Sequence, residues 1–248
     1  MKNISTALIL AGGKGTRFSE YTKSIPKPMI LIKNYPLLIQ IINIYSSQGI
    51  KNFIILTGYK SEVITRYFKA NYKKVAENKF IIDKSITVEI FFTGIDTQTG
   101  GRVKKVLPFI DEEMFYLTYG DGVANINIKK LTNFHLRNET IATLTAVRPP
   151  ARFGSLEIAN NDYVKTFGEK NNSKEGWING GFFIINKSID KYIKNTSEPL
   201  ERSPLEKLAK LGQLKAFKHS GYWRPVDTIR EKEILENEIE KKIFKYAR

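Results

Sequence analysis

Four short apolar runs, each leading into glycines or residues at helical spacing, leave this chain few ways to fold. They are STALIL (5–10), FIILT (53–57), ITVEIFF (86–92) and FYLTYGDG (115–122). Apolar stretches of this length suit strands covered on both faces. Between the first two, Leu37, Leu38, Ile41, Ile42 and Tyr45 recur at helical spacing, which predicts a helix over 36–49 opened by Pro36 and closed by Gly49. Val63, Ile64, Tyr67 and Phe68 mark the inward face of a second helix, and a third is predicted from about Arg102, after the glycines. The alternation predicts an α/β fold with a central mixed, mainly parallel sheet and helices on both faces. Ligands of such sheets sit beyond the carboxyl ends of the strands, so the first and fourth strands carry Gly12 to Arg17 and Asp121 to one rim.

After Asp121 the pattern changes to short strands: TIATLTAV (140–147), SLEI, YVKTF and GFFIIN. They read as an extension of the same sheet. Residues 1–125 and 126–228 are therefore two halves of one domain spanning 1–248. The segment 229–248 is a charged helix whose Leu235, Ile239, Ile243 and Tyr246 face the body of the protein. No linker, low-complexity tract or internal repeat interrupts the chain.

Composition excludes several chemistries. With no cysteine there is no disulfide, thiolate zinc site or cysteine nucleophile. His135 and His219 are too scattered for a metal cluster and read as packing or surface residues. A membrane span needs roughly 18 consecutive apolar residues, and no stretch approaches that. The early run ISTALILA is short and ends in glycines, unlike a signal peptide, which predicts a cytoplasmic protein. The net charge of +15 raises the question of nucleic acid, but lysine is spread evenly rather than gathered into an arm or stripe. Accompanied by many Asn and Ile residues, that pattern reads as a bias in the composition of the whole chain rather than a binding stripe.

LAGGKGTR then becomes the centre of interest. Glycines let backbone approach a ligand without a Cβ in the way, and successive N–H groups make an anion-binding nest. The spacing is neither the Walker pattern nor G-x-G-x-x-G. A glycine loop alone is compatible with a purely structural turn, but Arg17 and the Lys27 of PKP add positive charge suited to phosphates.

LAGGKGTR followed by PKPM resembles the signature of the sugar-nucleotide nucleotidyltransferases. Within that superfamily, TGIDTQTGGRVKKV (93–106), TYGDGVANINI (118–128), WINGGFFIIN (177–186) and GYWRPVDTIREK (221–232) are similar to stretches of glucose-1-phosphate cytidylyltransferases. The similarity runs in order over nearly the whole chain. It implies a single Rossmann-like α/β/α nucleotidyltransferase domain that transfers a cytidylyl group from CTP to a phosphorylated acceptor, with Mg²⁺ as cofactor. By the same resemblance Leu10, Ala11, Gly12, Gly13, Lys14, Gly15, Thr16 and Arg17 hold the nucleotide, and Arg17 and Lys27 neutralise its phosphates. Thr97, Gly101, Arg102 and Gly120 line the cytidine pocket. Asp121 and Asp227 share the metal, and Glu169, Lys170 and Asn179 meet the acceptor. No nucleic acid or membrane partner is implied, and a homo-oligomer stays open.

The chemistry needs no general base. A phosphate monoester, with a second pKa of about 6, is already mostly dianionic at neutral pH. Its oxygen can attack the α-phosphorus directly, so positioning and charge neutralisation would carry catalysis.

Three departures from the family pattern stand out. The segment between TGYKSEVITRYF and TGIDTQTGG is shorter than in glucose-1-phosphate cytidylyltransferases. Ile25 stands where a Lys often opens KPKP, and Asn171 replaces the Pro of EKP. The shortening sets L-glutamine phosphate slightly ahead of glucose 1-phosphate as the expected acceptor. That is the substrate of the phosphoglutamine cytidylyltransferase branch, which serves capsule phosphoramidate synthesis. A catalytically silent nucleotide-binding regulator would have lost Arg17, Lys27 or an aspartate, and all are present.

Overall fold

The computed structural model describes residues 4–15, 24–83, 85–149, 155–158, 163–168 and 176–241. Nine strands form one sheet: β1 (Thr6–Ala11), β2 (Asn52–Thr57), β3 (Lys73–Ala76), β4 (Lys79–Asp83), β5 (Ile86–Phe92), β6 (Met114–Tyr119), β7 (Ala142–Val147), β8 (Ile178–Asn186) and β9 (Leu214–Lys218). Their spatial order is β9-β7-β8-β6-β1-β2-β5-β4-β3. β1 lies parallel to β2 and β6, β2 to β5, and β7 to β9. Only β4 and β8 run against their neighbours, so seven of the nine strands share a direction and the sheet is mixed but mainly parallel.

The period-2 rule divides the core. Along β1, Ala7, Ile9 and Ala11 face one apolar layer, while Leu8 and Leu10 face the other. The same split runs through β6, with Met114 and Tyr116 on one side and Phe115 and Leu117 on the other. The first layer is covered by α1 (Leu37–Ser46), α2 (Ser61–Asn71), α4 (Ile128–Asn138) and α6 (Ile229–Glu240). The second is covered by α3 (Thr99–Val106) and α5 (Ser203–Lys210). Ile64 and Phe68 are buried on α2, as the sequence pattern predicts, with Val63 and Tyr67 packed beside them. Leu235 of α6 is fully buried and Ile239 packs against the same core, whereas Ile243 and Tyr246 lie outside the described residues. Among the described residues no helix is long and apolar enough to cross a membrane.

Three local features differ from the sequence reading. SLEI and YVKTF do not extend the nine-stranded sheet: Ser155–Ile158 and Val164–Gly168 pair only with each other, as an antiparallel two-stranded sheet of their own. Helix α3 begins at Thr99 rather than near Arg102, with Gly100 and Gly101 inside it. These glycines are demanded by packing: a Cβ on Gly101 would collide with the backbone of Thr196, and the Gly101 N–H reaches the carbonyl of Glu198 at 3.3 Å. The shortened segment is not a bare connection either. It folds as the β3–β4 hairpin, turning through Asn78 in the left-handed region (φ 58°), and forms one outer edge of the sheet. Asn179, on β8, lies on the other side of β1 in the strand order.

Candidate active site

The carboxyl ends of β1 and β6 open onto a cavity of about 280 Å³. The loop after β1 forms one wall through Gly12, Gly13 and Gly15, below which Leu10 and Ala11 end the strand. The loop is shaped from beneath by Arg102 of α3, which is buried at 4% exposure. Its guanidinium donates to the carbonyls of Gly12 (2.9 Å), Thr57 (2.8 Å) and Gly94 (2.8 Å) and to the Thr93 hydroxyl. A side chain on Gly12 would occupy the space this guanidinium fills. Holding the Gly12 carbonyl fixes the plane of the peptide that leads into Gly13, which lines the same cavity. Burial lowers the Arg102 pKa from its ordinary value, but an arginine keeps its charge at neutral pH. A cation therefore sits under the loop, donating to backbone carbonyls and to the Thr93 hydroxyl.

Lys27 lines the same cavity. Pro26 precedes it in extended conformation, and a single 3-10 turn, Lys27–Met29, holds it in place, with the Met29 N–H on the Pro26 carbonyl at 2.8 Å. The flanking prolines fix the backbone, and Met29 and Ile30 are buried beneath it. The Lys27 ammonium donates to Asp121 Oδ2 at 2.8 Å and also to Asp227 Oδ1.

Those two carboxylates meet through a short ribbon. Gly122–Ala124 pairs antiparallel with Trp223–Pro225, Pro225 opposite Gly122, and the Val226 N–H continues the ladder onto the Asp121 carbonyl at 2.8 Å. Helix α6 holds Asp227 from the other side. Thr228 is the N-cap, accepting from the Glu231 N–H, and the Glu231 carboxylate accepts the Asp227 N–H at 2.7 Å. Further along α6, Glu238 accepts from Arg224 through Nε (2.7 Å) and Nη2 (2.6 Å), and from the Tyr222 hydroxyl (2.6 Å). The ribbon strand that leads into Asp227 is thus clamped to the helix that follows it.

A second, smaller cavity adjoins the first, lined by Tyr119, Asp121, Asn179 and Trp223. Tyr119 lines both. Its hydroxyl donates to Glu201 Oε1 (2.7 Å) and accepts from Asn179 Nδ2 (3.0 Å), while Glu201 Oε2 accepts from Thr99 (2.6 Å). Burial and the neighbouring Glu201 carboxylate raise the Tyr119 pKa, so the phenol stays protonated and can donate.

Set against the expectations from sequence, the first cavity gathers Leu10, Ala11, Gly12, Gly13, Gly15, Lys27, Thr97, Arg102, Gly120, Asp121 and Asp227. Asn179 lines the second. Lys14 points elsewhere, pairing at 3.3 Å with the exposed Asp96, and Gly101 is buried inside α3 against Thr196. Thr97 lines the wall, but its hydroxyl is donated to the Thr93 carbonyl at 2.7 Å. Thr16, Arg17, Glu169 and Lys170 lie outside the described residues. Sequence reading missed Tyr119, Thr99, Glu201, Glu231 and Glu238. Only Tyr119 offered a signal, as the strand-end residue beside Gly120 and Asp121.

The two carboxylates fit a hard cation. Mg²⁺ characteristically takes one or two protein carboxylates and completes its shell with phosphate and water. Here one oxygen from each aspartate already converges on a single positive group, the Lys27 ammonium.

Comparison with known proteins agrees with this architecture. The chain is 45% identical over 248 residues to the glucose-1-phosphate cytidylyltransferase of Salmonella typhimurium, covering 95% of this chain and 96% of that protein. It is 41% identical over 235 residues to a probable glucose-1-phosphate cytidylyltransferase of Bacillus subtilis, covering 90% and 91%. The crystal structure of HddC from Yersinia pseudotuberculosis superposes with a TM-score of 0.74 at 25% identity, over 95% of this chain and all of that one. The nucleotidyl transferase family model matches residues 6–230, and this chain, a nucleotidyltransferase, belongs to that family.

Proposed function

We propose that this protein is a Mg²⁺-assisted cytidylyltransferase that converts CTP and glucose 1-phosphate to CDP-glucose and pyrophosphate. The observation that carries the reading is the 41–45% identity with glucose-1-phosphate cytidylyltransferases along nearly the whole chain, joined to a cavity that Lys27, Asp121 and Asp227 line together with the glycine loop. The triphosphate would lie along the loop, where backbone N–H groups and the cation beneath favour negative charge. Lys27 and Arg17 would neutralise the α-phosphate and the leaving pyrophosphate. Asp121 and Asp227 would hold Mg²⁺, which supplies further charge neutralisation on the phosphates when bound. The acceptor phosphate, approaching from the Asn179 side, would attack the α-phosphorus in line, and the bond to the pyrophosphate oxygen would break.

The shortened segment had favoured L-glutamine phosphate as acceptor. The β3–β4 hairpin lies at the sheet edge beyond β5, on the far side of β1 from β8 and Asn179, so the shortening gives no support to an amino-acid phosphate. The relatives favour glucose 1-phosphate. The deciding experiment is ³¹P NMR of the protein with CTP and Mg²⁺, run in parallel with glucose 1-phosphate and with L-glutamine phosphate. Pyrophosphate and a new diphosphate pair are expected in the sugar tube. The same signals in the glutamine tube alone would overturn the acceptor, and silence in both would overturn cytidylyl transfer to either.

A further inference from the structure

Lys27 occupies the place that a metal ion would need. Its side chain is 10% exposed, and its ammonium bridges two carboxylates that come from distant parts of the chain. The surroundings of that bridge differ in their freedom to move. Asp121 and Asp227 are held by the ribbon ladder, and Asp227 also by Glu231. The Lys27 backbone is pinned between prolines, but its ammonium ends a flexible four-carbon stem. The ammonium is therefore the part of this arrangement that can leave.

It also has reason to leave. A divalent ion sharing those two oxygens would add two positive charges beside the ammonium against only two carboxylates, leaving like charges at close range in a partly buried site. Lys27 lines the same cavity as the glycine loop, so a triphosphate bound there brings oxygens within reach of its swing.

We propose that Lys27 is the resident counter-ion of the Asp121–Asp227 pair, and that nucleotide and divalent metal displace it together. The triphosphate draws the ammonium onto its own oxygens, which frees one oxygen of each aspartate for the metal. Metal affinity is then low in the nucleotide-free protein and rises with nucleotide, and by linkage the metal raises nucleotide affinity by the same factor. This inference rests on reading the cavity as a triphosphate and metal site and adds how the two ligands are coupled.

The test is Mn²⁺ binding by the full chain, followed through the EPR signal of free Mn²⁺, so no turnover is required. The probe nucleotide is a CTP analogue with a methylene between the α- and β-phosphorus, and its own affinity for Mn²⁺ is measured without protein and subtracted. The wild-type chain alone should bind Mn²⁺ weakly, and the analogue should tighten binding at least tenfold beyond that control. Lys27→Met, without nucleotide, should bind Mn²⁺ at least tenfold more tightly than wild type, and the analogue should add little.

Equal nucleotide-free affinity in wild type and Lys27→Met would overturn the proposal. So would wild-type binding that the analogue leaves unchanged, a result that stands even if the variant does not fold. Asp121→Asn separates the two levels. If Mn²⁺ binding in the presence of the analogue is the same in Asp121→Asn as in wild type, the carboxylate pair is not a metal site, and the underlying reading fails with the inference.

Discussion

Arg102 fills the space that a side chain on Gly12 would take, and at the same time holds the Gly12 carbonyl at 2.9 Å. The pair acts as a single fitting: the glycine leaves room for the guanidinium, and the guanidinium sets the plane of the glycine's peptide. Arginine spreads these bonds over two nitrogens, Nη2 to Gly12 and Nη1 to Thr57 and Gly94, a fork that the single ammonium nitrogen of lysine does not reproduce. Arg102→Lys is expected to raise the KM for CTP about tenfold or more with a smaller fall in kcat. Leaving buried carbonyls unpaired should also cost roughly 2–4 kcal/mol of stability. Gly12→Ala should reproduce the KM effect by pushing the guanidinium away. Steady-state kinetics with CTP varied would check both, and an unchanged KM in either variant would remove Arg102 from the shaping of the loop.

Asp227→Asn keeps the shape of the side chain and removes its charge. Most turnover should disappear while the melting temperature stays close to wild type, because one of the two carboxylates compensating Lys27 remains. Turnover near the wild-type rate would sink the assignment of Asp227 to the metal.

Glu238 lines neither of the two cavities, yet it clamps the strand that leads into Asp227. Glu238→Gln weakens a paired, half-buried ion contact with Arg224 and is expected to lower stability by about 1–3 kcal/mol. Its informative effect is on the metal: the Mg²⁺ concentration needed for half-maximal rate should rise several-fold while the KM for CTP at saturating Mg²⁺ stays put. A loss of stability with an unaltered Mg²⁺ dependence would mean that the clamp serves packing alone.

Tyr119 joins the two cavities through Glu201 and Asn179. Tyr119→Phe removes both hydrogen bonds and leaves the ring packed on Phe183. Since one such bond is worth about 1 kcal/mol, the KM for the acceptor should rise roughly five- to tenfold, with little change for CTP. Initial rates with each substrate varied in turn would test this. An unaltered acceptor KM would show that Asn179 needs no support from the phenol.

His135 is buried on α4, with Nδ1 2.9 Å from the Thr143 hydroxyl, and burial pushes its pKa down to about 4. The unfolded chain takes up the proton near pH 6.5, whereas the folded protein resists it until about pH 4. The stability that the neutral imidazole contributes is therefore full above about pH 6.5 and is lost as the pH falls toward 4. His135→Gln should flatten the fall in melting temperature between pH 7 and pH 4.5. Parallel slopes in variant and wild type would place the acid sensitivity elsewhere.

Legibility in the sequence followed burial. β1, β2 and β6 could be read directly because they are covered on both faces or nearly so and become continuous apolar runs, whereas β5 alternates, with Val88 and Ile90 buried between half-exposed neighbours. β3 could not: its four residues, KKVA, are all exposed at the sheet edge and carry no periodic signal. β9 is another edge strand and escaped notice for the same reason. Helix α3 was placed late because glycines read as breakers, when here they answer to a crossing chain at Thr196. The aspartate pair was visible only through family resemblance, since the ribbon that joins its members is three residues long on each side. Glu201 and Tyr119 are 82 residues apart and meet by folding alone, which no local pattern announces.

That ribbon has a consequence for how the protein is made. Lys27 and Asp227 are separated by 200 positions, and β1 with its glycine loop leaves the ribosome long before Trp223–Pro225 does. The early strands can pair and collapse as they emerge, but closing so distant a contact is slow and comes late. A growing chain therefore carries its glycine loop and its lysine with only one of the two carboxylates in reach. Competence arrives in one step, when the ribbon closes.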